Sequence, residues 1–131
     1  MDGSLIDLSK YRLERAREDL QTARDNFKNG SYRASVNRSY YAIFHALRAV
    51  TALDDFDSSK HSGIIGYVNH NYVKAGIFDK SFSKYVDSAF RLREKADYDD
   101  FYIVAIEDAK RQIENAEAVI SAVEEYASTR W

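Results

Sequence analysis

Three side chains near the middle of the chain carry the first chemical signal. Arg38, Tyr41 and His45 fall at i, i+3 and i+7, so on a helix they share one face. Arg48 extends the stripe. The guanidinium offers a phosphate contact, and the imidazole, with an unperturbed pKa near ~6.5, offers a proton shuttle. The same residues also describe a buried polar ladder, in which Arg38 pairs with an acid and His45 is a satisfied core histidine. Helix geometry alone favours the ladder.

A second block runs from Arg91 to Tyr102 and crosses a helix end. Arg93 and Asp97 are i, i+4 and can pair. Tyr98 and Tyr102 are expected in the connector that follows, where packing rarely demands two tyrosines. Arginine with tyrosine at a helix end can hold a phosphate and stack a base. An ion-pair network closing a bundle would use the same residues. Lys60-His61-Ser62 opens a further helix, where free amides favour an anion, but a simple capping turn is the favoured reading.

Other chemistries are poorly supplied. The chain has no cysteine and three histidines, which excludes a disulfide scaffold, a thiolate zinc site and a cysteine nucleophile. No Glu-x-x-His pair of the di-iron type is present, and His61 and His70 would point in opposite directions on one helix. The five glycines are scattered, so no phosphate-cradling loop is formed. Gly63 and Gly66 lie inside a helical pattern and are expected to permit close helix packing. No metal and no cofactor are expected. The formal net charge of −2 supplies no global basic field for nucleic acid. No apolar run approaches the ~20 residues that span a bilayer, and Met1 to Lys10 lacks a signal-peptide pattern. The expectation is a cytoplasmic protein with no membrane partner.

The elements that must position these residues read as helices. The 131 residues suit one domain, residues 1–131 with a core of about 8–127, and 45% hydrophobic with 31% charged residues is a globular composition. There is no proline to break a helix. Leu13, Ala16, Leu20, Ala23 and Phe27 step by three and four along a first helix, which Asn29-Gly30 ends. Ser31 is placed to cap a second helix reaching about Leu53. Tyr40, Ile43, Phe44, Leu47 and Val50 form one of its sides, and Ala34, Ala42, Ala46 and Ala49 much of another, the pattern of a central bundle helix. A loop over 54–59 precedes a short helix, about Lys60 to Lys74, with Ile64, Ile65, Val68 and Tyr72 inward. Ala75-Gly76 stops it. Asp79 can cap a fourth helix to about Asp97, with Phe82, Tyr85, Val86, Ala89, Leu92 and Ala96 apolar. Ile106, Ala109, Ile113, Ala116, Ile120, Val123 and Ala127 mark the last helix. The fold class is all-α: an antiparallel bundle of four long helices plus one short helix. The stripes of the first and last helices could pack on each other or form a dimer seam.

Taken together, three blocks resemble the HEPN-domain family, in its branch of small single-domain proteins. These are Arg38-Ser39-Tyr40-Tyr41-Ala42-Ile43-Phe44-His45-Ala46, then His61-Ser62-Gly63 followed by Tyr72-Val73-Lys74-Ala75-Gly76, and Arg93 through Tyr102. The resemblance covers about Leu13 to Val123. It implies a helical bundle that usually dimerises and is often encoded beside a minimal nucleotidyltransferase in a toxin–antitoxin-like pair. Many members are metal-independent ribonucleases in which an arginine holds the scissile phosphate and a histidine a few residues on moves the proton. Other members are binding modules. At the end of the fourth helix this chain offers Arg93 and then Asp97-Tyr98, with no histidine. Arg38 and His45 have suitable spacing but lie on the second helix.

The resulting expectation is a homodimeric HEPN-type protein binding a nucleotide, RNA or a nucleotidyltransferase. Its binding site would comprise Arg93, Asp97, Tyr98 and Tyr102, lined or supported by Arg38, Tyr41 and His45. A metal-independent ribonuclease, with Arg93, Asp97 or His45 as catalytic candidates, and a purely structural interaction module are the alternatives.

Overall fold

The computed structural model describes residues 3–131; Met1 and Asp2, which open the expected domain and the segment read for a leader, lie outside the described residues. Helices α1 (Gly3–Lys28), α2 (Tyr32–Leu53), α3 (His61–Val68), α4 (Lys80–Tyr98) and α5 (Ile106–Ala127) follow one another, with no strand among the described residues. The expected all-α bundle of four long helices and a short one is the observed architecture.

Side-chain bonds between helices show how the bundle runs. Ser9 Oγ donates to the Ala49 carbonyl and Ser35 Oγ to the Ala23 carbonyl. Rising position on α1 therefore meets falling position on α2, and the two are antiparallel. Arg17–Glu124 and Arg24–Glu117 set α5 antiparallel to α1 in the same way. Arg93–Tyr41 and Asn37–Asp97 do so for α4 and α2. α2 touches all the other helices, and its alanines and serines let α1 approach closely. The α1 and α5 stripes pack within one chain, so they are not a free dimer seam. Leu13, Leu20, Tyr40, Ile43, Leu47, Val50, Ile64, Val86, Val119 and Val123 are all buried in one core. Each large apolar side chain so buried contributes roughly 1.5–3 kcal/mol.

Several expected core positions are not core. Ala34 is exposed, because it lies on the solvent side of a turn whose Ser35 and Val36 face the bundle. Ile106 is half exposed, although Val104 before it and Ala109 after it are buried. Ile65, Tyr85 and Leu92 are only partly covered. Gly66 faces open space and so permits no close packing. Gly63 does, but against a loop: a Cβ there would collide with Ser58 Oγ.

The turns are mostly those the residues call for. Gly30 adopts φ +79° and Gly76 φ +81°, left-handed values that glycine reaches without a Cβ clash. Asp79 caps α4, its carboxylate accepting from the Ser81 amide at 3.0 Å. Ser31 occupies the cap position of α2, but its side chain makes no cap bond; its backbone carbonyl accepts from the Ser35 amide instead.

The expected helix over 60–74 changes character midway. After Val68 a π-helical turn spans Asn69–Val73. Residues five apart lie on different faces of an α-helix, whereas π-type i→i+5 bonding draws them together. Tyr67 and Tyr72, five apart, both donate to Asp54 Oδ2, Tyr67 at 3.0 Å. Arg130 joins them: Nη2 lies 2.9 Å from Asp54 Oδ1 and donates to the Leu53 carbonyl, and Nη1 donates to the hydroxyls of Tyr72 and Tyr126. This junction ties the end of α2, the α3 segment and the residues after α5 together.

Candidate functional site

α2 exposes its polar flank between α1 and α4, where the two sequence blocks meet. Arg38 projects from α2 toward α1 and places Nη1 3.2 Å from Asp19 Oδ1. Further along the same face, His45 Nε2 stands 3.4 Å from the other oxygen of the same carboxylate. Asp19 is largely buried, so two groups seven residues apart share one anchored negative charge. Asn37 fixes Arg38 from the other side, its Oδ1 accepting from Nε at 3.1 Å and Nη2 at 2.9 Å. The Arg38 guanidinium also lies over the Tyr41 ring, 4.9 Å from its centre.

Asn37 links this set to α4. Its amide donates to Asp97 Oδ2 at 3.3 Å, and that oxygen is 2.9 Å from Arg93 Nε. Arg93 Nη2 donates to the Tyr41 hydroxyl at 3.1 Å, and Nη1 contacts Glu94. The Arg93 guanidinium lies over the rings of both Tyr40 and Tyr41. Its side chain is 14% exposed, whereas that of Arg38 is 37% exposed. The expected phosphate contact from Arg93 thus meets a guanidinium occupied by protein. Of the two arginines, Arg38 is the one that reaches solvent.

The structure therefore brings together Arg38, Tyr41, His45, Arg93 and Asp97. It does not bring Tyr98 or Tyr102 to them. α4 extends one residue past the expected end, so Tyr98 ends the helix rather than lying in the connector, and it is 72% exposed. Tyr102 lies in the connector beside Lys95, and its carbonyl accepts from Arg33.

Four members of the cluster escape pattern reading. Asp19 and Asn37 carry no motif by themselves. Asp19 falls one residue from the Leu20 of the α1 stripe, and a carboxylate flanking an apolar stripe is the signal available. Glu94 and Tyr40 lie inside the motif blocks without a role that the pattern assigns. His61, read as part of a capping turn, stacks on Phe44 with ring centres 4.0 Å apart, and its Nδ1 is 2.7 Å from the Tyr40 hydroxyl. The turn at Lys60 makes no side-chain cap bond.

Electrostatics separate the roles. Burial lowers the pKa of His45 below its ordinary value; Asp19 opposes this, and Arg15, Arg48 and Arg38 push it lower. His61 is lowered by burial and by Arg93 and Arg48. Burial raises the Tyr40 hydroxyl well above its usual value, so it stays protonated. A neutral imidazole beside a part-exposed guanidinium can accept a proton from a hydroxyl positioned by a phosphate. Among the described residues, no cluster of three or more His, Cys, Asp and Glu side chains suited to a metal ion is present. No helix of the structure is long and apolar enough to cross a membrane.

Known proteins share both the sequence and the shape. A protein of Thermotoga maritima named "UPF0332 protein" is 34% identical over 115 residues, covering 88% of this chain and 87% of its own. The "Putative toxin MJ0605" of Methanocaldococcus jannaschii is 35% identical over 86 residues, covering 66% of this chain and 64% of its own. The crystal structure of TT1696 from Thermus thermophilus superposes with a TM-score of 0.75 at 16% identity, over 89% of this chain and 96% of that one. It shares the fold. The family model for the HEPN domain matches residues 9–126, and with that match the chain belongs to the HEPN domain family.

Proposed function

We propose that this HEPN chain is a toxin-like component that binds RNA or a nucleotide through the α2 flank and acts as a homodimer. The observation that carries the reading is the shared carboxylate. Asp19 pairs with Arg38 and stands 3.4 Å from His45, and Asn37 and the Arg93–Asp97 pair fix Arg38 from behind. Arg38 is the phosphate contact in this reading. Arg93 is a positioning residue that acts through Tyr41 and Asp97. A guanidinium held on two sides loses little freedom when it meets phosphate oxygens, which favours bidentate binding.

The homodimer reading is supported by the α4–α5 connector. Phe101 and Ile103 in the connector are 94% and 87% exposed, and Tyr98 and Ile106 at the helix ends beside it are 72% and 50% exposed. Apolar side chains grouped like this on one surface mark interaction sites. The family resemblance alone supports a minimal nucleotidyltransferase as a further partner. Single-stranded RNA and ATP should be titrated into wild type, Arg38→Ala and Arg93→Lys. Binding that Arg38→Ala weakens tenfold supports the reading. Equal binding by wild type and Arg38→Ala refutes it.

A second reading, a metal-independent ribonuclease, is favoured by His45. Its depressed pKa keeps the imidazole neutral near pH 7, as a general base requires. RNA cleavage in EDTA, lost in His45→Ala with the fold intact, would support it. No cleavage by folded wild type would remove it.

A further inference from the structure

α4 carries two separate polar faces. Arg93 and Asp97 turn toward α2, whereas Lys84, Ser88, Arg91 and Lys95 step by four, three and four along a different stripe. That stripe and Asp108, Arg111 and Gln112 of α5 line an open cleft of about 490 Å3, with Tyr102 at its connector end. Its floor is polar: Gln112, 3% exposed, donates to Ser88 Oγ at 2.9 Å.

The cleft is cationic on a chain whose net charge is negative. Lys84, Arg91, Lys95 and Arg111 face only Asp87 and Asp108. Arg91 pairs with Asp87 at 2.8 Å and Arg111 lies 3.9 Å from Asp108, while Lys84 and Lys95 enter no ion pair among the described residues. Lys95 stands instead 5.9 Å from the centre of the Tyr102 ring. Arg33 of α2 donates to the Tyr102 carbonyl and holds that residue at the cleft. Like charges at i, i+4, as at Arg91 and Lys95, work against a helix, and an external polyanion would offset them. A rise of ~1.5 Å per residue spreads Lys84 to Lys95 over roughly 16 Å, longer than one phosphate group.

We propose that the α4–α5 cleft is a second anion-binding track, taking an extended single-stranded RNA backbone on Lys84, Arg91, Lys95 and Arg111 and stacking a base on Tyr102. It rests on the RNA reading of the α2 flank for the identity of the polyanion. Cations that follow a backbone and an aromatic ring that takes a base are the usual parts of single-strand binding. An acidic protein would use the cations and leave the ring idle.

Fluorescence anisotropy with long and very short oligouridine tests it, using wild type, Arg38→Ala, Tyr102→Ala and the combined Lys84→Gln, Arg91→Gln, Lys95→Gln variant. The charges removed are at the surface, and melting temperature verifies that each variant is folded. The triple variant should bind the long oligomer at least tenfold more weakly and the short one unchanged. The slope of log affinity against log salt should fall by about 2. Tyr102→Ala should weaken the long oligomer alone. If the triple variant matches wild type while Arg38→Ala still loses binding, the track is overturned and the α2 reading stands. If wild type binds no RNA, both fall. If polyaspartate binds the cleft more tightly than oligouridine, the cleft belongs to an acidic protein and the RNA track is overturned.

Discussion

Two clusters in this molecule are built from the same parts, and they end differently. At the Asp54 junction, one carboxylate meets two tyrosine hydroxyls and Arg130, and Arg130 has its remaining bonds to Tyr126 and the Leu53 carbonyl. Among the described residues, no buried side-chain atom there lacks a partner. On the α2 flank, Asp19 Oδ2 and Arg93 Nε are buried without an aligned hydrogen bond, although His45 and Asp97 stand near them. Buried polar groups are normally satisfied. The junction follows that rule and spends its chemistry on holding the bundle together. The flank departs from it, and it presents a held but part-exposed guanidinium beside a titratable ring. Composition therefore does not separate a structural arginine cluster from a functional one. Closure of the network does.

The largest effect is expected at Asp54. Asp54→Ala strands two tyrosines and Arg130, and both charges are largely covered, at 20% and 24% exposed. Removing one partner of such a pair should cost about 3 kcal/mol and lower the melting temperature by about 10 °C, with RNA affinity unchanged. A calorimetric shift below about 1 kcal/mol would show that the junction is not the lock described.

Arg93→Ala should come next, costing about 2 kcal/mol because its side chain is well covered and contacts Tyr41 and Asp97. RNA affinity should fall with it. Arg93→Lys should restore part of the stability and little of the binding, because an ammonium cannot make the forked contacts. Equal rescue of both would mean that only the charge matters.

Arg38→Ala should behave in the opposite sense to Asp54→Ala. A third of its side chain is exposed, which weakens the pair, but the largely buried Asp19 loses its arginine, so the cost should be about 1 kcal/mol, less than at Asp54. Binding to RNA should nevertheless weaken about tenfold, near ~1.4 kcal/mol. If stability falls more than binding does, the flank is as structural as the junction.

The smallest effect is the pH dependence of folding. The His45 and His61 pKa values are lowered from 6.5 in the folded chain. Below about 6.5 the unfolded chain therefore binds more protons than the folded one, and stability falls as pH drops from 7 toward 5. Urea titrations across that range should show the fall, and His45→Gln should flatten it. An unchanged slope in His45→Gln would assign the dependence to His61.

The helices are legible because their spacing is a local property. Leu13 to Phe27 and Ala109 to Ala127 announce their stripes in steps of three and four, and Gly30, Gly76 and Asp79 mark turns that their own chemistry demands. The site is legible only in part. Arg38, Tyr41 and His45 share a face by helix arithmetic, and Arg93 with Asp97 do so on α4. That the two faces meet follows from antiparallel packing, which no short window contains. Asp19 is the clearest case: an acid beside an apolar stripe gives no sign of what crosses from the next helix. Tyr98 and Tyr102 group with Arg93 by nearness in sequence, but the helix end and the connector carry them elsewhere. The π turn is also hidden, because Asn69 to Val73 continues an acceptable α-helical pattern.

That turn has a consequence for insertions and deletions. A π-helical turn holds one residue more than the α-helical turn it replaces. Removing a single residue between Asn69 and Val73 would leave a regular helix with better local hydrogen bonding. It would also leave the two tyrosines four apart, a spacing that an α-helix puts on one face. Straightening the turn into an α-helix without a deletion would instead swing Tyr72 about 100° away from Tyr67, and only one tyrosine could then reach Asp54. The π turn thus absorbs one extra residue while keeping two hydroxyls at one carboxylate.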